Sequence, residues 1–144
     1  MTVTIRPATA EDAAALVPLI AVLGREVPAS GVRDLIENDP ALCVLVAQDG
    51  EAAGAPLLGV LALTHTRMLH RVQREARITT LAVAEAAQGR GVGRQLVEAA
   101  VQQARDWGCG RLELTTGAAR LGAQAFYHAT GFRQESLRFH RDLD

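Results

Sequence analysis

Gln88-Gly89-Arg90-Gly91-Val92-Gly93 has the clearest chemical content in this chain, because a β-type run, Ile78 to Val83, leads into it and an amphipathic helical pattern leaves it. Glycines allow a tight turn and a close backbone approach, while the unpaired N–H groups and positive dipole end of the following helix face an anion. This is the geometry of a pyrophosphate cradle, and it makes a phosphate-bearing cofactor the first expectation. Two other glycine-rich loops are excluded by the residues themselves. A P-loop needs Gly-Lys-Ser/Thr, and Arg94 and Gln95 follow Gly93 instead. A dinucleotide fingerprint begun at Gly89 needs glycine where Arg94 stands, and one begun at Gly91 needs it where Leu96 stands.

What remains, Gln-x-x-Gly-x-Gly after a strand ending Leu81-Ala82-Val83, resembles the acyl-CoA-binding motif of the GNAT superfamily of N-acetyltransferases. A second segment, Ala123-Gln124-Ala125-Phe126-Tyr127-His128-Ala129-Thr130-Gly131-Phe132, is similar to that family's Ala-x-x-Phe-Tyr-x-x-x-Gly-Phe element. The resemblance implies acetyl-CoA as cosubstrate and no metal. It places the loop from Gln88 through Gly89, Arg90, Gly91, Val92, Gly93 and Arg94 on the pyrophosphate, and the backbone of Leu81, Ala82 and Val83 on the pantetheine amides. Phe126 and Arg120 join the cofactor-binding set, Arg120 standing where many relatives have asparagine.

Tyr127, the one tyrosine in the chain, is either a core aromatic beside Phe126 or, as the resemblance implies, at the position where a tyrosine of that family can donate a proton to the departing thiolate. With reference pKa values of about 10 for tyrosine and about 8.5 for a thiol, that transfer depends on close geometry rather than acidity. Many relatives carry a glutamate base on the strand just before the run matching Leu81 to Val83, but Thr79 and Thr80 stand there. Glu75 is the candidate base, sharing the face of Thr79 only if no bulge intervenes; a water chain is the alternative.

These residues need a scaffold, and the patterning supplies one. Val3 to Arg6 reads as an opening strand, and Thr9-Ala10-Glu11-Asp12 as a capping box before a helix carrying Ala13, Leu16, Val17, Ile20 and Leu23, which Pro18 should kink or split. A short helix over Val32 to Asn38 precedes two β-type runs, Leu42 to Gln48 and Leu57 to Thr66. From Arg74 to Ala84 the apolar phase moves from even positions (Ala76, Ile78) to odd ones (Leu81, Val83), which requires a slip near Thr79 to Leu81 unless both faces are buried, and a bulge is the economical form of it. Val92, Leu96, Ala100, Ala104 and Trp107 mark one stripe of a long helix ended at Gly108. A strand over Arg111 to Thr115, a helix over Leu121 to Thr130 and a final strand over Phe132 to Arg141 complete the order. The expectation is one α/β domain over 1–144, similar to the GNAT fold: a mixed, mostly antiparallel sheet of six to seven strands flanked by about four helices. Its strands ending near Val83 and Thr115 should splay at the bulge to admit the cofactor.

A chain of 144 residues can bury about 68 to 70% of its unfolded surface in one core. Its net charge of −1 gives no global attraction to nucleic acid or an anionic membrane, and no apolar run is long enough to span one. All 15 basic residues are arginine. With Cys43 and Cys109 only, and no secretory pattern after Met1, the chain reads as cytoplasmic with reduced thiols. His65 and His70 lack further ligands at metal-binding spacing, and with Arg67, Arg71, Arg74 and Arg77 they form a solvated basic hairpin or the rim of an anion site. The expected activity is direct acetyl transfer to a small-molecule or protein amine, with a homodimer left open. The rivals are a catalytically silent acyl-CoA-binding or sensor module and a nucleotide-binding regulator.

Overall fold

The computed structural model of the protein describes residues 1–116 and 121–143. Strand β1 (Val3–Pro7) leads through a 3-10 turn (Ala10–Asp12) into helices α1 (Ala13–Ala21) and α2 (Ala29–Asn38). Strands β2 (Leu42–Asp49), β3 (Leu57–Thr66) and β4 (Arg74–Val83) follow, then α3 (Val92–Asp106), β5 (Cys109–Glu113) and α4 (Leu121–Ala129). The sheet order is β1-β2-β3-β4-β5; its first four strands pair antiparallel, and β4 with β5 parallel.

Alternation along these strands supplies two apolar faces. Leu45, Ala47, Leu61, Leu63 and Ile78 pack under Val92, Leu96, Val97 and Ala100 of α3. Val46, Val60 and Ala82 point the other way, against Ala13, Leu16 and Leu19 of α1 and Val32 of α2. Gly59 lets α3 come close: a Cβ there would lie 3.0 Å from Leu96 Cδ1 and 3.1 Å from both Val92 Cγ1 and the Ala82 carbonyl oxygen.

Between β1 and α1, a polar network holds the chain. Arg6 makes a two-pronged pair with Asp12 at 2.8 and 2.9 Å and donates to the buried Gln48 at 2.7 Å. Asp12 also accepts the Thr9 N–H at 2.7 Å, and the Arg6 guanidinium holds its carboxyl below the usual carboxylate range.

Two expectations need correction. Pro18 does not split α1, which runs continuously from Ala13 to Ala21. A proline removes one hydrogen bond from a short helix, while Leu16 and Leu19 on either side of it are anchored in the core. The sheet has five strands, not six to seven, because no strand forms over residues 132 to 141. The alternating Leu137 and Phe139 there stay 79% and 86% exposed. A β-like pattern yields a strand only where a neighbour completes its ladder, and this segment meets β5 and the residues just after it through side chains, Arg111 with Glu135 and Thr115 with Arg138. Among the described residues no helix is long and apolar enough to cross a membrane.

Candidate functional site

The phase change along β4 has a structural counterpart. Leu63 pairs with Ile78 and Ala62 with Thr80, so Thr79 has no opposite residue on β3. The bulge switches the strand's faces: Ile78 lies in the α3 cluster, and so do Leu81 and Val83 beyond it, while Ala82 turns to α1. The Thr79 hydroxyl donates to the Ala62 carbonyl at 3.4 Å, a long bond that ties the extra residue back to β3.

On the other side of β4 the pairing with β5 ends at Arg77 with Glu113. From Ile78 to Val83 that edge has no strand partner among the described residues. An open strand edge offers alternating N–H and C=O groups to an extended ligand. Leu81, Ala82 and Val83 all lie on it.

The strand then enters a 3-10 turn (Glu85–Ala87) and the glycine loop. Gly89 and Gly91 take φ values of +78° and +82°, which L side chains rarely adopt, and a Cβ at either would meet nothing within 4 Å. These glycines are therefore required by backbone conformation, and the space before them is open. The first helical bond of this turn runs from the Gln95 N–H to the Gly91 carbonyl at 3.1 Å. Val92, Gly93 and Arg94 thus present N–H groups ahead of the helical ladder. The side chains of the loop brace it instead. Gln88 Nε2 donates to the Val83 carbonyl at 3.1 Å, and Arg94 Nη2 reaches the Ala129 carbonyl at the end of α4 at 3.4 Å. Gly93 admits Phe126, whose Cζ would be 3.2 Å from a Cβ there.

Tyr127 follows on α4, half-buried between Phe126 at 5.4 Å and Phe132 at 5.8 Å, both edge-on. The structure thus brings Leu81 to Val83, the loop, Phe126 and Tyr127 to one end of the sheet. Arg120 lies outside the described residues.

Glu75 sits apart from this group. It is four residues before Thr79, roughly 13 Å along a strand, and is 4% exposed. Arg71 Nε lies 3.1 Å from its Oε1 as an ion pair, but the angle is too poor for a hydrogen bond, and that oxygen has no other partner among the described residues. A cleft of about 320 Å³ opens beside it, lined also by Gln73, Arg74 and Arg111. His65 is similarly occupied, its ring 4.5 Å from Trp107 and its Nδ1 3.0 Å from Arg74. Burial pushes the Cys109 thiol up, against the opposing pull of Arg74.

A polar cluster escaped the sequence reading. Arg77 pairs with Glu113 at 3.1 Å and donates to Thr115 Oγ1 at 3.0 Å, and Arg138 donates to the same oxygen at 2.6 Å. Its signal was the alternation of Arg111, Glu113 and Thr115 with Leu112 and Leu114.

A family model described as the acetyltransferase (GNAT) family matches residues 17–132. The chain is 31% identical to the aminoalkylphosphonate N-acetyltransferase of Salmonella typhimurium (strain LT2), over 96% of its own length and 90% of that protein's. It is 33% identical over 85 residues to the uncharacterised N-acetyltransferase YvbK of Bacillus subtilis (strain 168), a match that covers 59% of the chain and only 52% of YvbK. Among solved structures, a transcriptional regulator from Bacillus halodurans C-125 shares the fold with a TM-score of 0.82 at 35% identity, covering 97% of this chain and 100% of that one.

Proposed function

The chain belongs to the acetyltransferase (GNAT) family, and from that premise we propose that it moves an acetyl group from acetyl-CoA to the primary amine of a small acceptor by direct transfer in a ternary complex. The observation that carries this reading is the bulge at Thr79 beside an open β4 edge that runs straight into the glycine loop. The residues fit the cosubstrate: N–H groups of Gly89 to Arg94 face the diphosphate without a metal, and the edge from Leu81 to Val83 takes the pantetheine amides. Acetyl-CoA supplies the activated acyl carbon.

Thr79, outside the β3 ladder, offers its N–H to the thioester oxygen as charge develops there. As the amine nitrogen bonds to the acyl carbon and the C–S bond breaks, Tyr127 gives its proton to the leaving sulfur. The ammonium proton passes to water and the tyrosine is reprotonated from solvent. Glu75 has no closer part than the far end of a water relay along β4. Holding amine and thioester in one cleft supplies much of the acceleration. Thr79 and Thr80 in place of a carboxylate favour one rival, a silent acyl-CoA-binding module.

Calorimetry with acetyl-CoA tests the cofactor site. Valine at position 91 must either adopt a left-handed backbone, at about 1–2 kcal/mol, or move the loop. A folded Gly91→Val protein should therefore bind acetyl-CoA about tenfold more weakly or worse. Undiminished affinity would remove the loop from the cofactor site, and ATP or NAD binding in place of acetyl-CoA would favour a nucleotide-binding regulator.

A further inference from the structure

Parallel strand pairs are ordinarily apolar on both faces, and β4 with β5 departs from this. Ile78, Leu112 and Leu114 pack with the α3 cluster. By alternation Glu75 and Arg77, in register with Arg111 and Glu113, point to the opposite face, with Thr115 beyond them. Glu75 is buried at one end of this face, but at the other Thr115 is exposed and the Arg77 and Glu113 side chains are partly so, which leaves that end open to solvent.

On it, two guanidinium groups converge on one neutral oxygen, Thr115 Oγ1. Glu113 neutralises Arg77, but Arg138 has no acidic partner among the described residues. Beside them Arg111 and Arg133 share Glu135, so four arginines meet two carboxylates. A hydroxyl cannot balance the charge of Arg138, whereas an oxyanion can, and planar guanidinium forks match its geometry. Arg77 also lies two residues before the bulge, roughly 6.6 Å along the strand, a span that a short aminoalkyl chain covers.

We infer that Arg77, Arg138 and Thr115 seat an oxyanion of the acceptor, a short-chain amine with an anionic tail, with its nitrogen delivered to Thr79. This assignment rests on the acetyltransferase reading of the β4 bulge. It is tested by kcat/KM for 2-aminoethylphosphonate, β-alanine and n-propylamine in the wild type, Arg138→Gln and Arg138→Lys, with Arg105→Gln at the exposed end of α3 as control. The wild type should prefer the phosphonate over propylamine by about tenfold or more, with β-alanine between, mainly through KM. Arg138→Gln should shrink that ratio by about fivefold or more, Arg138→Lys should restore part of it, and Arg105→Gln should leave it unchanged. An unchanged ratio in Arg138→Gln, or a wild-type preference for the uncharged tail, overturns the assignment. If no amine is acetylated, the acetyltransferase reading fails, and calorimetry with methylphosphonate then judges the seat by itself. Binding weakened by Arg138→Gln supports the seat; absent or equal binding overturns it.

Discussion

Tyr127 is gripped by two edge-on rings, Phe126 and Phe132, and the Phe132 N–H also bonds its carbonyl at 3.0 Å. Removing the hydroxyl leaves these contacts in place, so Tyr127→Phe should fold and bind acetyl-CoA as before. Under single-turnover conditions it should slow acyl transfer by about 10²- to 10⁴-fold, the usual range for a lost general acid. Wild-type rates in the variant would return Tyr127 to a packing role. Its place on α4 was legible in the sequence because the motif is contiguous. The Arg77–Thr115–Arg138 cluster was not, since it joins three segments that only the fold brings together. Arg77 stood out only as one of a basic run that could rim an anion site, and Arg138, one of 15 arginines, carried no pattern that tied it to Thr115.

The seating of α3 on the sheet sets where its first turn, and so the glycine loop, stands. Gly59 is the close-approach point, and two effects compete when it gains a methyl group. Alanine for glycine in a strand ordinarily stabilises by roughly 0.5–1 kcal/mol, whereas overpacking a filled core costs about 1–3 kcal/mol. With Leu96, Val92 and the Ala82 carbonyl all at 3.0–3.1 Å from the new carbon, overpacking should win. Gly59→Ala is expected to lower stability in urea titrations, and a stabilised protein would mean that α3 has room to shift. The bulge at Thr79 was readable from sequence because a period-two pattern cannot change phase without an extra residue. The stripe of α3 was readable for the same reason, and Val92, Leu96, Ala100 and Ala104 are all buried. The segment after Phe132 misled because alternation specifies a strand's faces and says nothing of whether an edge receives it.

Taken together, the folded chain brings two approaches to one point. In the proposed reading the open β4 edge and the glycine loop take an extended, phosphate-bearing ligand beside α3, while the polar side of β4 and β5 faces the opposite way. They meet at Thr79, near the end of the paired part of the two strands. A net charge of −1 on the whole chain leaves recognition to such local groups. Acetyl transfer and silent acyl-CoA binding both use this layout, and they part on a single observable. That observable is release of the free CoA thiol from enzyme-bound acetyl-CoA, followed with and without a panel of primary amines that includes 2-aminoethylphosphonate. Thiol should appear in step with the N-acetylated product, only when an amine is present, and with one equivalent for each acetyl group moved. Saturable acetyl-CoA binding with no amine-dependent thiol release across the panel would contradict the acetyltransferase reading and leave a binding module.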